Sequence, residues 1–339
     1  MSTLPVAGLW SRQWEEDPLG DADGADRTTL VWWVQSRDSG IYVDLRLPLD
    51  SPGRSLEAAQ KAGITRRPGA LAARGVSDTN KAALEAYRDV LLRQKSFAGI
   101  LTYTAGDTTS GEALQKDSVL ADLARANAGL SLCTCFWRRD LDYQPPTGGL
   151  DVGVCASEAP KPDGSVLLRE TGDDASYAEG WLRQSEKGPF MALELVSEDG
   201  RPRSGYWVRA GNIFAYAVGR PATGDVSQSL GFPSGSDAVK EAVGKTLTEA
   251  LVSSTHALDV VASYVAVAGE VDGDQWSIRH ATNPELVGCS LIGGDVSSCC
   301  SQVTQSGNYV EQTIGDGDSA IARVWRVKEQ TDCSLPQSP

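Results

Sequence analysis

From Gly8 onward, apolar and polar residues alternate in short runs separated by turn residues, the period-two signature of half-buried strands. Gly8 to Trp14 is the first such run. Thr28 to Gln35 and Gly40 to Leu47 follow, split by Ser36-Arg37-Asp38-Ser39, and predict a hairpin that Pro48 ends. Residues 51–76 are rich in Gly, Ala, Arg and Pro and read as an irregular surface insert. Ser77-Asp78 then caps a helical stripe through Leu84, Tyr87 and Leu91. Phe97 to Thr104 is a predicted strand, Ser110 to Asn127 a second helical insert, and Leu130 to Tyr143 a long strand closed by Pro145-Pro146.

The second part of the chain repeats the rhythm. Strands are predicted at 150–155, 165–171, 177–184, 190–196, 205–209 and 213–218, the last two around Ala210-Gly211-Asn212. Asp237 to Ser253 is an amphipathic helix. Strands at 258–268 and 275–280 flank Asp272-Gly273-Asp274, and 310–314 and 321–327 finish the pattern. Strands this short and frequent predict a mainly β protein of antiparallel sheets or barrels. Both halves carry a Trp-bearing strand, a tight hairpin, a helical insert and long strands. The expected architecture is therefore two tandem lipocalin-like antiparallel β-barrel halves with helical inserts, joined by a duplication. The first half spans 1–150 with inserts at 51–94 and 110–128. The second spans 151–330 with its helix at 237–253, and 331–339 is a polar tail. Residues 145–149 would be the connector, and the barrels would pack through outer aromatic faces.

The net charge of −14 over 339 residues changes the list of partners. It repels phosphate backbones and anionic lipid surfaces, so nucleic acid and membranes are not expected partners. Met1 to Trp10 lacks the pattern of a secretory leader, and the expected location is cytoplasmic. Seven cysteines form no disulfide framework of the secreted kind. Cys133 and Cys135 share a strand face and read as two small core or surface thiols, while Cys299-Cys300 lies in a Ser/Gly-rich loop. The two histidines, His256 and His280, sit in no motif and read as structural. No metal site and no cofactor loop is expected.

Several segments resemble known families. VWWVQ…GIYVDLRLP (31–48), FAGIL (97–101), CFWRRDLDYQPPTGGLDVG (135–153) and LLRETGDDASYAEGWLR (167–183) resemble an uncharacterised bacterial family with WLQ…ADIRIP and WHREIDFQPP motifs. WVRAGNIFAYAVGRP (207–221) and VAVAGEVDGDQWSIRHATNP (265–284) resemble its later segments. More distantly, the chain is similar to the fungal Hri-type proteins, named for binding a casein kinase. That resemblance implies two lipocalin-like barrels and carries kinase binding to no residue here. Arg138 stands where the bacterial motif has His, so a mechanism needing that imidazole is not implied.

Strand alternation places Tyr42, Asp44 and Arg46 on one face and Val43, Leu45 and Leu47 on the other. Tyr177, Glu179 and Trp181 share a face. Arg138, Asp140 and Asp142 point one way, and Trp137, Arg139, Leu141 and Tyr143 the other. The candidate acid–base residues are Glu179, Glu170, Asp142 and Asp44. The candidate ligand-binding residues are Arg46, Arg139, Tyr177, Trp181 and Trp137. Acids beside aromatics are what a barrel lumen holding a polar-ended ligand presents. Three functions follow: binding of a small apolar or amphipathic ligand, cofactor-free isomerase, cyclase or lyase chemistry by carboxylates, or a protein scaffold docking through the inserts.

Overall fold

The computed structural model describes residues 6–17, 25–67, 70–71, 76–105, 131–144, 150–174, 176–185, 187–220, 258, 262–292, 301–315, 320–333 and 335. The helix expected at 237–253, the insert at 110–128, the connector at 145–149, His256 and Cys299-Cys300 lie outside the described residues.

Eight strands close the first barrel: β1 (Gly8–Glu16), β2 (Thr29–Gln35), β3 (Ile41–Pro48), β4 (Lys95–Ala105), β5 (Ser131–Asp142), β6 (Asp151–Ser157), β7 (Val166–Gly172) and β8 (Ala178–Ser185). Each pairs antiparallel with the next, and β8 returns to β1. The second barrel runs β9 (Phe190–Glu198), β11 (Gly205–Ala210), β12 (Ile213–Val218), β13 (Val265–Asp272), β14 (Gln275–Ala281), β15 (Ser290–Ile292), β16 (Ser301–Ser306), β17 (Tyr309–Ile314) and β18 (Ile321–Thr331). It closes by β18 pairing with β9, and the short β10 (Arg201–Pro202) rides on β9. Only β15 and β16 pair parallel among the described strands.

The mainly β, two-barrel class is the one the alternation predicts, but the division at 150 is corrected. The strands of 151–185 belong to the first barrel. The reason is closure: strands up to Asp142 leave open edges at β1 and β5, and three more are needed before the sheet meets itself. The tail is corrected too. β18 runs to Thr331, and Leu335 is buried in the second barrel's core.

The insert at 51–94 carries three helices, α1 (Leu56–Lys61), α2 (Asp78–Ala86) and α3 (Arg88–Arg93). The Ser55 hydroxyl caps α1 by accepting from the Ala58 N–H. The stripe read as one helix breaks at Tyr87, whose backbone leaves the helical region. Leu84 and Leu91 point into a small core with Ala59, Ile64, Leu258 and Ala262. The apolar stripe is therefore used internally and does not form the exposed patch a docking helix needs.

The barrels meet along β2, β3 and β4 on one side and β11, β12 and β13 on the other. Val43, Leu45 and Leu47 share a core with Val208, Ala215, Ala217, Ala266 and Ala268. The junction is thus aliphatic, with alanines that let the sheets approach, whereas most tryptophans turn into the lumens. Polar ties flank it. The Glu329 carboxylate accepts from the N–H groups of Arg37, Asp38 and Ser39 at 2.9–3.1 Å, and Arg220 donates to the Tyr143 carbonyl at 3.0 Å. His280 is structural here: Nδ1 lies 2.6 Å from the Arg54 carbonyl and its ring meets Trp32 edge-on.

Candidate functional site

Because β3 is sandwiched between the lumen and the neighbouring barrel, both of its faces are buried. Val43, Leu45 and Leu47 face the junction, and Tyr42, Asp44 and Arg46 face the lumen. Ladder register then builds the site strand by strand. Trp10 pairs with Trp33, Trp33 with Asp44, Asp44 with Phe97 and Phe97 with Asp142. Lower in the lumen, Cys133 pairs with Cys155, Cys155 with Glu170 and Glu170 with Glu179.

A β-bulge decides the position of two candidates. Gly99 pairs with Arg139 and Ala98 with Leu141, so Asp140 is the extra residue. Strict alternation would set Arg139 and Asp142 on opposite faces; the bulge brings them together, with Arg139 Nη1 3.8 Å from Asp142. Gly99 opposite the bulge has to be glycine, since a Cβ there would lie 1.9 Å from the Arg138 carbonyl oxygen. Arg139 also bonds Asp151 and stands over the Phe97 ring.

The two glutamates placed side by side by β7 and β8 have opposite fates. Glu179, 2% exposed, accepts from Arg46 at 2.7 Å and Arg12 at 2.8 Å. Burial pushes its carboxyl up, but the two guanidiniums outweigh that and hold it below the usual range. Asp44 shares Arg46 at 3.0 Å, yet burial wins there and raises it. Glu170, 5% exposed, forms no salt bridge among the described residues. Its oxygens accept from Trp181 Nε1 at 3.1 Å and Tyr177 Oη at 3.3 Å. Burial first, then the neighbouring Glu179 charge, push it well above the glutamate range, a shift that favours its protonated form. Asp142 is raised by burial, against Arg139, to about 6.

Trp33, Tyr42, Asp44, Arg46, Phe97, Trp137, Asp151, Glu170 and Trp181 surround a narrow cavity of about 10 Å³, room for about one water molecule. Gly153 keeps it open, because a Cβ there would meet Trp137 and Glu170 at 3.1 and 3.2 Å. The Tyr42 hydroxyl is fully buried on its wall and has no hydrogen-bond partner among the described residues.

All nine candidates thus gather in or beside one lumen, and none belongs to the second barrel. The boundary expected at 150 would put Tyr177, Glu179 and Trp181 in the second half; the closure at β8 places them in the first barrel with Asp44, Arg46 and Arg139. Tyr177 stands behind Glu170 rather than lining the space. Sequence reasoning missed Arg12, which is 2% exposed at its side chain, pairs Glu179 and also bonds Asp26 and Glu15. Its signal was its place two residues after Trp10 on the same strand face. Asp151 and Trp33 were also missed as wall residues.

The chain matches no family model and no curated protein. Among solved structures it is similar to the crystal structure of an uncharacterised protein from Saccharomyces cerevisiae, at 11% identity and a TM-score of 0.45, over 95% of this chain and 98% of that one. No helix among the described residues is long and apolar enough to cross a membrane.

Proposed function

We propose that the first barrel binds a compact, neutral ligand bearing a carbonyl or amide, at the mouth of its lumen. The observation that carries this is the Tyr42 hydroxyl, buried without a partner among the described residues on the wall it shares with the Glu170 carboxyl. A buried hydroxyl without a hydrogen bond costs about 1–3 kcal/mol, and a ligand acceptor placed there offsets it. Phe97, Trp137 and Trp181 supply apolar walls for the rest of the molecule. Any ligand larger than a water, the small apolar or amphipathic one expected from sequence included, would enter only as these side chains move apart, because the cavity is about 10 Å³. Native mass spectrometry of protein purified from its own source tests this. A small mass should leave the wild-type chain on denaturation and be missing from Tyr42→Phe. A bare wild-type chain is the contrary result.

A second reading is favoured by Glu170 and Glu179, neighbouring carboxyls whose surroundings shift them in opposite directions, Glu170 up by burial and Glu179 down by Arg46 and Arg12. In that reading Glu170 is a general acid toward the same ligand, with Arg46 holding developing negative charge. Glu170→Gln would then keep the bound mass and lose its chemical conversion.

A further inference from the structure

We propose that Cys133, Cys135 and Cys155 form a three-thiolate site for a soft monocation of the Cu(I) type inside the first barrel. The proposal does not rest on the ligand reading above.

The site is built by register. Cys133 and Cys135 alternate on the lumen face of β5, and Cys155 is the direct cross-strand partner of Cys133 on β6. Position 153, which faces Cys135, is glycine, so no side chain on β6 separates Cys135 from its neighbours. The three sulfurs all lie within 4.8 Å of one another, and the Cys133 and Cys135 sulfurs are 3.7 Å apart. A cation at the centre of a sulfur triangle with bonds of about 2.3 Å puts the sulfurs about 4 Å apart, so the apo cluster already has the needed size. All three are free and buried, Cys135 at 0% exposure and Cys155 at 1%.

The donor set selects the ion. Three thiolates with no histidine suit Cu(I), which accepts trigonal sulfur ligation; Zn(II) asks for a fourth ligand. The nearest carboxylate by register is Glu170, whose two oxygens already accept from Trp181 and Tyr177. Binding displaces the thiol protons to solvent as sulfur–copper bonds form, with no change in the copper or sulfur oxidation state.

The test uses the full chain, reduced and kept anaerobic. Cys289, Cys299, Cys300 and Cys333 are changed to Ala so that the three lumen thiols are the only ones. Cu(I), supplied as its acetonitrile complex, is titrated against bicinchoninate. One equivalent should move from the chelator to the protein, and copper-edge X-ray absorption should count three sulfur neighbours. Cys135→Ser and Cys155→Ser in that background should each leave the copper with the chelator. Cys135→Ala, which keeps the buried position apolar, serves if the serine variant loses its native tryptophan emission. No transfer to the parent, a two-sulfur site, or transfer unchanged in both single variants overturns the proposal.

Discussion

The two lumens share a plan and differ in how their charges are settled. Each is centred on one tryptophan of a β-strand near the junction. Trp33 meets Trp10, Trp137 and Trp181 at 5.4–6.0 Å, and Trp207 meets Tyr216, Trp276 and Trp325 at 5.4–5.8 Å. In the second barrel the charged groups close on themselves, although Trp207 Nε1 and Trp276 Nε1 are buried without a hydrogen-bond partner among the described residues. Glu198 lies between Arg323 and Arg203, Arg323 also donates to the Tyr216 hydroxyl, and Gln312 accepts from Trp325 Nε1 at 3.0 Å. Ala70, Leu71, Leu286 and Leu335 pack into that core from outside the strands. Among the described residues of the first barrel a carboxyl is buried without a cation and a hydroxyl without any partner. Stability does not ask for either feature, and each has an energetic cost. Unpartnered polar groups occur in both lumens; what sets the first apart is Glu170, buried without a salt bridge, and on that ground the first lumen is the one proposed as a site.

Four substitutions break or sharpen this contrast. Trp207→Ala should cost about 3–5 kcal/mol, because it hollows the centre of an aromatic core that has nothing to collapse into it. A denaturant melt measures it, and a loss under 1 kcal/mol would show that the second lumen is not a packed core. Arg46→Met should cost about 3 kcal/mol at neutral pH by leaving Asp44 and Glu179 short of a cation. The loss should shrink at pH 4, where those carboxyls can take protons; a cost that does not depend on pH would contradict the ion-pair account.

Glu170→Gln addresses the uncompensated acid. The folded pKa of Glu170 lies above its unfolded value, so its stabilising proton is fully present below the ordinary glutamate range. As pH rises from there, the unfolded chain ionises first and wild-type stability falls. Glutamine keeps the neutral form, so variant and wild type should match near pH 4 and diverge in the variant's favour at higher pH. Asp142 adds a slope of the same sign between about 4 and 6. Melting curves across pH decide it, and a variant that is less stable at pH 8 would mean Glu170 is held as a carboxylate. Tyr42→Phe should have the smallest effect, a gain of about 1 kcal/mol, since it removes a buried hydroxyl that makes no hydrogen bond. A loss of 2 kcal/mol or more would mean that the hydroxyl has a structural partner.

Much of this was legible from local pattern. Period-two alternation put Tyr42, Asp44 and Arg46 on one face and Tyr177, Glu179 and Trp181 on another, and those faces do turn inward. Three things were not legible because they depend on pairing between distant strands. The bulge at Asp140 brings Arg139 and Asp142 to the same side against strict alternation. Closure of β8 on β1 delivers Arg12 to Glu179 across 167 residues of sequence. Register between β5 and β6 adds Cys155 to what read as a two-cysteine pair. Alternation separates the two faces of β3 but does not show that both are buried, which follows from a second barrel covering the outside.

The indole N–H spectrum of the nitrogen-15-labelled chain tests the contrast between the lumens most directly. The chain has nine tryptophans, and Trp10, Trp33, Trp137 and Trp181 gather in the first lumen while Trp207, Trp276 and Trp325 fill the second. The spectrum would be recorded before and after adding the small-molecule fraction of the source cells, with assignments from single tryptophan-to-phenylalanine variants. Shifts of the Trp33, Trp137 and Trp181 signals, with those of Trp207, Trp276 and Trp325 unmoved and the response lost in Tyr42→Phe, is the predicted result. Shifts confined to the second set, or a first set that stays unmoved, would contradict the assignment of the first lumen as the site.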